Sequence, residues 1–453
     1  MQLQKLRQFY DSGATRGYEF RIQQLKKLRE IIITNETAIT DALYRDLHKS
    51  REEAYATEIG LFLAEINHTI NKLRKWMAPV KTKTTLANLP SKSMVLRDPL
   101  GVVLVIAPWN YPFQLVAVPL MAAMAAGNCV VIKPSELTPA TAELITRLIT
   151  DNFPSEYISV ATGDGEKVIP QMMNEFRFDH LFFTGSPGVG KALYQLAAKQ
   201  LIPVTLELGG KSPAVIEADA NLTVAANRIA LGKFINAGQT CIAPDYLLVH
   251  ESVKDRFVAA LIRSIENFYT ADPQTSYDYG RIINSKRFDV LIDLLAGSNL
   301  IFGGKHNRDE LYIGPAIVEV SDTNVPLMQQ EIFGPILPLI TFSAFDEAIG
   351  IIRQNPDPLA FYVFTANQKQ ADNWVGDLSF GGGCINNTAY HFTNIHLPFG
   401  GVGNSGIGNY HGRYSFEIFS RQKSVMKTPV WFDPAIRYPS FKGKIDLLKK
   451  IFR

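Results

Sequence analysis

Cys241 lies in the polar loop NAGQTCIAPDY, directly ahead of the strand-like run YLLVH. The glycine, glutamine and threonine before it fit a specialised backbone better than a core run, although a lone cysteine is commonly a small buried hydrophobe. Glu207 sits at the end of the apolar run VTLEL, just before two glycines. An unpaired carboxylate there is costly when ionised, so its pKa should rise. A thiol nucleophile and a base of raised pKa on neighbouring strand ends suit covalent catalysis.

Two glycine motifs offer phosphate chemistry. FTGSPGVGKA follows the run HLFF and precedes the helical stretch KALYQLAAKQL, the right context for a phosphate at a helix N-terminus. Gly185, Gly190 and Lys191 match GxxxxGK, but Ala192 stands where a P-loop needs a hydroxyl for Mg²⁺. A nucleoside triphosphate, a dinucleotide pyrophosphate and a glycine-rich turn without a ligand all remain open. The literal GxGxxG, Gly401 to Gly406, follows LPFG rather than a strand and is rejected as a dinucleotide turn. Lys133 and Glu136, just after CVVI, suit the hydroxyls of an adenosine ribose, or are surface charges. Thr138 and Pro139 beside them read as a helix N-cap and first-turn proline.

No histidine has a metal-ligand spacing, so no metal site is expected, and His391 and His396 read as structural. Cys129, inside an apolar strand, reads as buried and inert; Cys384 in GGGCINN stays unassigned.

The elements that must position these residues follow from the pattern. VVLVIAP, CVVIKP, ISVATG, HLFFTG and VTLELGG are short apolar runs, the first four separated by amphipathic segments of helical length. Continuous apolar strands alternating with helices predict an α/β fold with a parallel sheet covered on both faces. Ligands bind beyond the carboxyl ends of such strands, where the residues above lie. PAVIEA, YLLVH and FYVFTA predict a second α/β domain, and the polar stretch near residues 81–101 a projecting hairpin. Near the N-terminus, Ile22, Leu25, Leu28 and Ile32 form one apolar helical stripe.

Composition sets the outer limits. At ~150 residues per domain, 453 residues suggest about three domains. With 46% hydrophobic and 20% charged residues, a disordered chain and a disulfide-stapled miniprotein are excluded. A net charge of +3 gives no nucleic-acid footprint. Three cysteines without CxxC spacing argue against a zinc ribbon or disulfide framework and for a reducing compartment. The N-terminus lacks a secretory h-region, and the longest apolar run, Leu115 to Ala126, is short of the ~20 residues that span a bilayer. The expected location is cytoplasmic. From Lys427 onward seven basic residues face two acidic ones, so KIDLLKKIFR could lie on an anionic membrane or form a solvated end.

In order, PWNYPF, KPSE, FTGS with a following GVG, LELGGKSP, GQTC, QQEIFGP and LPFGGVGNSG extend from about residue 107 to 412. The series resembles the NAD(P)-dependent aldehyde dehydrogenases. The short N-terminus, CIAPDY and the NYHG run at Asn409–Gly412 are similar to the class 3 (fatty/aromatic aldehyde) branch. Some members of that branch end in a hydrophobic membrane tail; this chain ends in a basic one.

The resemblance implies a Rossmann-type sheet domain (1–80 and 99–205), an α/β catalytic domain (206–400) and a small bridging β element (81–98 with 401–453). It implies a homodimer that oxidises an aliphatic or aromatic aldehyde, of medium or long chain, to its acid. Cys241 would be the nucleophile, Asn110 an oxyanion donor with the Cys241 N–H, and Glu207 the base for the hydrolytic water. Lys133 and Glu136 would hold the adenosine ribose of NAD, or of NADP. Gly185, Ser186 and Gly190 would hold the pyrophosphate, Glu331 and Phe333 the nicotinamide ribose, with Trp109 and Leu208 beside them. Phe399 would line the reacting end, and the 401–406 glycines would form an active-site loop. A CoA-acylating dehydrogenase is the nearest rival, which Glu207 argues against because the acylating relatives generally lack it; an NTPase is the second.

Overall fold

The computed structural model describes residues 3–452. The predicted parallel sheet has six strands, in the order Gly406–Ile407, Val204–Leu208, His180–Gly185, Val102–Ile106, Cys129–Lys133, Ile158–Val160. All run parallel except the short Gly406–Ile407 edge. Helices Gln114–Ala126, Pro139–Thr150, Gly165–Glu175 and Pro187–Ala198 follow its strands. Every residue of Val102–Ile106 and Cys129–Lys133 is buried, as continuous apolar runs require when a sheet is covered twice. Helix Gln114–Ala126 is buried all round and stops at Gly127, φ 91°. A Cβ there would fall 2.4 Å from the buried Arg21 guanidinium carbon, so only glycine fits this left-handed stop.

The second sheet has seven strands, in the order Asn299–Gly303, Ala316–Glu319, Ile336–Phe342, Tyr246–His250, Pro213–Ile216, Ala360–Phe364, Gly382–Ile385. It is parallel except at its first strand. The hairpin of Val80–Thr82 and Lys92–Pro99 pairs antiparallel with Ser420–Lys427, from the far end of the chain. Ile22, Leu25, Leu28 and Ile32 are buried along helix Tyr18–Thr34, as their spacing predicts.

Thr138 departs from expectation. Its hydroxyl donates to the Ser135 carbonyl (3.3 Å) and does not cap helix Pro139–Thr150. Asp46 does so instead: its carboxylate accepts from the Ala140 and Thr141 N–H groups (3.1 and 2.7 Å) and from the Thr141 hydroxyl (2.7 Å). A capping oxygen contributes about 1 kcal/mol whichever segment supplies it. Here it comes from helix Glu36–Leu47 and ties the N-terminal helices to the edge of the sheet where the site lies.

Candidate active site

Strand ends of both sheets open on one cavity of about 1010 Å³. Cys241, Glu207 and Asn110 all line it. So do Trp109, Gly185, Ser186, Leu208, Glu331 and Phe333, with Phe399 among aromatic residues. Lys133, Glu136 and Gly190 are outside the lining. Among the described residues no group of three or more His, Cys, Asp or Glu side chains could hold a metal ion.

Cys241 is delivered by a strained loop. Asn236, Ala237 and Gly238 are successively left-handed, with φ of 52°, 51° and 75°. Two of them carry a Cβ, and such backbone persists only where surroundings enforce it. Gln239 supplies that enforcement. Its amide donates to the Asn236 and Arg281 carbonyls (3.0 and 2.9 Å), and its oxygen accepts from the Ile283 N–H (3.0 Å). A Cβ on Gly238 would fall 2.3 Å from the Gly334 carbonyl oxygen. The Thr240 and Tyr111 hydroxyls are 2.6 Å apart. The Asn110 amide donates one hydrogen to the Gln239 carbonyl (3.0 Å). Among the described residues no protein group accepts its second hydrogen.

Burial shifts both Glu207 and Cys241. Glu207 is buried and neither carboxylate oxygen has a hydrogen-bond partner. Desolvation therefore raises its pKa well above the carboxylate range. Burial, and then the Glu331 and Glu207 carboxyls, push the half-buried Cys241 thiol up to about 12. Glu331 is itself pushed up to about 8, by burial and then by Asp245, against the Gly210 N–H, Lys211 and Arg287. A Cβ on Gly209 would fall 2.0 Å from a Glu331 carboxylate oxygen, so the first glycine of LELGG makes room for the glutamate of EIFGP.

The helix-terminal residues divide into those that line the cavity and those that do not. Ser186 caps helix Pro187–Ala198 by accepting from the Val189 N–H (3.5 Å). Thr184 Oγ1, buried in the lining beside it, has no partner. Gly190 instead serves packing: a Cβ there would meet Leu208 Cδ2 at 2.6 Å. Lys191 is exposed and outside the lining, so the P-loop reading has no cation where it needs one. Lys133 Nζ is 2.6 Å from Glu136 Oε2, and Glu136 Oε1 accepts from the Gly165 N–H (3.0 Å). Burial works to raise the Glu136 carboxyl, but the Lys133 ammonium and the Gly165 N–H outweigh it and hold it below the usual range. The unpartnered Thr184 hydroxyl, the Ser186 turn with its helix N-terminus, and the Glu331 and Glu136 acceptors fit a dinucleotide with two ribose diols.

Phe333, at φ 48°, meets Trp109 edge to face (5.3 Å). Phe399 stacks on His391 (6.0 Å), whose pKa burial lowers to about 4, so that histidine is a neutral packing ring behind the lining, as expected. His396 packs edge-on to His68. Cys129 is fully buried and its thiol is pushed up to about 12 by burial, which fits an inert role. The GxGxxG loop returns beside the site: Gly406 pairs with Glu207 and Asn404 lines the cavity. Sequence reasoning missed Lys211 and Asp245. They form a buried ion pair (2.5 Å) under EIFGP, through Lys211 to the Gln330 carbonyl (3.1 Å) and Asp245 from the Ile332 N–H (3.0 Å). They stand in the runs LELGGKSP and CIAPDY, but the letters give no sign that the two are buried or paired with each other.

The sequence model for the aldehyde dehydrogenase family matches residues 9–425. The chain belongs to the aldehyde dehydrogenase family. It is 48% identical to the 4,4'-diaponeurosporen-aldehyde dehydrogenase of Staphylococcus aureus (strain NCTC 8325 / PS 47), over 98% of both chains. It is 42% identical to the dimeric NADP-preferring aldehyde dehydrogenase of Canis lupus familiaris, again over 98% of both. A solved structure described as the substrate-bound state of Staphylococcus aureus AldH superimposes with a TM-score of 0.97 at 46% identity, covering 99% of this chain and 98% of that one. Relatives named as family 3 members also match along nearly the whole chain, consistent with the class 3 branch. This aldehyde dehydrogenase is an enzyme that oxidises aldehydes to carboxylic acids with NAD(P)⁺.

A thiol raised this far reacts as thiolate only in proportion to pH. In the free enzyme, iodoacetamide alkylation of the Cys241 peptide, followed by mass spectrometry, should quicken about tenfold per pH unit from pH 7 to 10. A plateau below pH 9 would contradict the raised thiol.

Proposed function

We propose that Cys241, once its thiol has lost its proton to solvent, attacks the aldehyde carbon through Sγ as the thiolate, giving a thiohemiacetal whose oxyanion is held by the Asn110 amide and the Cys241 N–H. Each such fixed donor contributes roughly 10²-fold or more in rate. A bound NAD(P)⁺ would supply the acceptor for the hydride lost from this carbon, so that the thiohemiacetal becomes a thioester. Glu207, in its ionised form, then takes a proton from water as the water attacks the thioester, and Cys241 departs as the thiolate. The observation that carries this reading is the buried, partnerless Glu207 carboxyl in the same cavity as Cys241. A base kept there favours hydrolysis over transfer to CoA.

Lys133 and Glu136 would hold the adenosine ribose, Gly185, Ser186 and the turn closed by Gly190 the pyrophosphate, and Glu331 and Phe333 the nicotinamide ribose, with Trp109 and Leu208 alongside. Glu136, held anionic, repels a 2′-phosphate and so favours NAD⁺, unlike the NADP-preferring relative. The cavity walls Leu61, Leu231, Ile235, Phe392 and Phe399 suit an apolar aldehyde of medium or long chain, or an aromatic one. Residues 1–80 and 99–205 would carry the cofactor and 206–400 the nucleophile, while 81–98 and 401–453 bridge two copies of a cytoplasmic homodimer. The word dimeric in the canine relative's name supports that assembly.

The C-terminal helix Ile445–Phe452 exposes Ile445, Leu447 and Phe452 along with Lys449 and Lys450, and Trp431, earlier in the same C-terminal segment, is 76% exposed. This composition supports weak contact with an anionic bilayer. No helix among the described residues is long and apolar enough to cross one.

Glu207→Gln should yield a burst of about one NADH per site and then stall, since only thioester hydrolysis needs the base; steady turnover at the parent rate would assign the base elsewhere. Removing residues 443–453 should lower co-sedimentation with phosphatidylglycerol vesicles, and a full-length chain that leaves such vesicles unbound would end the membrane reading.

A further inference from the structure

Lys49 is fully buried, and so is its partner Glu58, with Nζ and Oε1 2.6 Å apart. Neither side chain lines the cavity. Burying two charges roughly breaks even against burying two apolar residues of similar size, so stability alone is a weak reason for such a pair. Its hydrogen bonds point to a more local purpose. Lys49 Nζ donates to the backbone carbonyl of Asn110 (3.0 Å). The other Glu58 oxygen accepts from the backbone N–H groups of Phe113 and Gln114 (2.9 and 3.1 Å). The ion pair therefore grips both ends of the turn from Asn110 to Gln114. Between them, the Lys49 ammonium lies 4.0 Å from the centre of the Tyr111 ring.

Asn236 completes the brace from the nucleophile's side. Its amide donates to the Asn110 carbonyl (2.8 Å) and to the Gln239 carbonyl (3.1 Å), the same oxygen that accepts from the Asn110 side chain. Glu53 fixes Asn236 in turn by accepting from its N–H (2.9 Å). Glu58 reaches the turn from a stretch of π-helix, Tyr55–Ile59, inserted between helices Arg51–Ala54 and Gly60–Met77. Such widened turns recur at functional sites.

We infer that Lys49 and Asn236 are positioning residues for the oxyanion donor: they lock the Asn110 backbone carbonyl so that the side-chain amide meets the oxyanion formed on Cys241. The inference rests on the assignment of Asn110 above. Neither residue touches substrate. Their effect is to remove the freedom of the Asn110 peptide, and a donor displaced by a fraction of an ångström loses much of its value in the transition state.

Lys49→Met, tested in the full-length enzyme, should lower kcat about tenfold while the Kd for NADH, read by fluorescence, stays within about twofold. The decisive readout is a double-mutant cycle with Asn110→Ala. With that amide already gone, Lys49→Met should change kcat by less than about twofold. Asn236→Gly runs the same cycle should Lys49→Met fail to fold, because glycine keeps the left-handed backbone and loses only the amide. An equal loss of kcat in the Asn110→Ala and parent backgrounds would overturn the inference, as would a kcat unchanged by both Lys49→Met and Asn236→Gly. An Asn110→Ala enzyme with parental kcat would instead overturn the oxyanion assignment, and the inference with it.

Discussion

Leaving a carboxyl buried with no hydrogen-bond partner costs free energy, and much of this molecule is arranged around keeping Glu207 in that condition. Its strand, Val204–Leu208, lies one place in from the edge of the sheet, covered by His180–Gly185 on one side and by Gly406–Ile407 on the other. Both oxygens are enclosed and unpartnered. The neutral form is favoured, so only the ionised fraction can take a proton from water, and the raised pKa makes that fraction the stronger base. The same desolvation keeps the Cys241 thiol protonated. Two groups that would be ordinary acids in water are thus held towards their neutral forms, and both shifts depend on how tightly the cavity excludes solvent.

Rigidity around that cavity comes from buried polar contacts between segments far apart in the chain. Gln239 holds three left-handed residues in place ahead of Cys241. Lys211 and Asp245 hold the backbone at Gln330 and Ile332, and Gly209 makes the space that Glu331 occupies. Asp46 and the Lys49–Glu58 pair tie N-terminal helices to two helix starts of the first sheet. An apolar core could not impose such precision on individual carbonyls and amides, because burial is not directional.

The strands were readable in the chain because both sheets are covered on both faces, so that VVLVI and CVVIK are apolar without a break. Cys241 and Glu207 stood out by residue type against their surroundings. Gly190 also stood out, but it serves contact between a helix and Leu208 rather than a face of the cavity. Lys49, Glu58, Lys211 and Asp245 did not stand out, since a charged letter carries no sign of burial and Lys49 meets Asn110 across 61 positions. Thr138 misled for a related reason: an N-cap sequence cannot show that Asp46 already supplies the capping oxygen. Local pattern conveys the elements; the contacts that aim the side chains depend on closure of the whole chain.

The most direct test is a stopped-flow trace at 340 nm with purified enzyme, NAD⁺ and a medium-chain aldehyde, with and without coenzyme A. A carboxyl poised to activate water predicts reduction continuing well past one equivalent per site with no CoA present. Arrest after one equivalent, relieved only by CoA, would contradict it and remove Glu207 from the hydrolytic step.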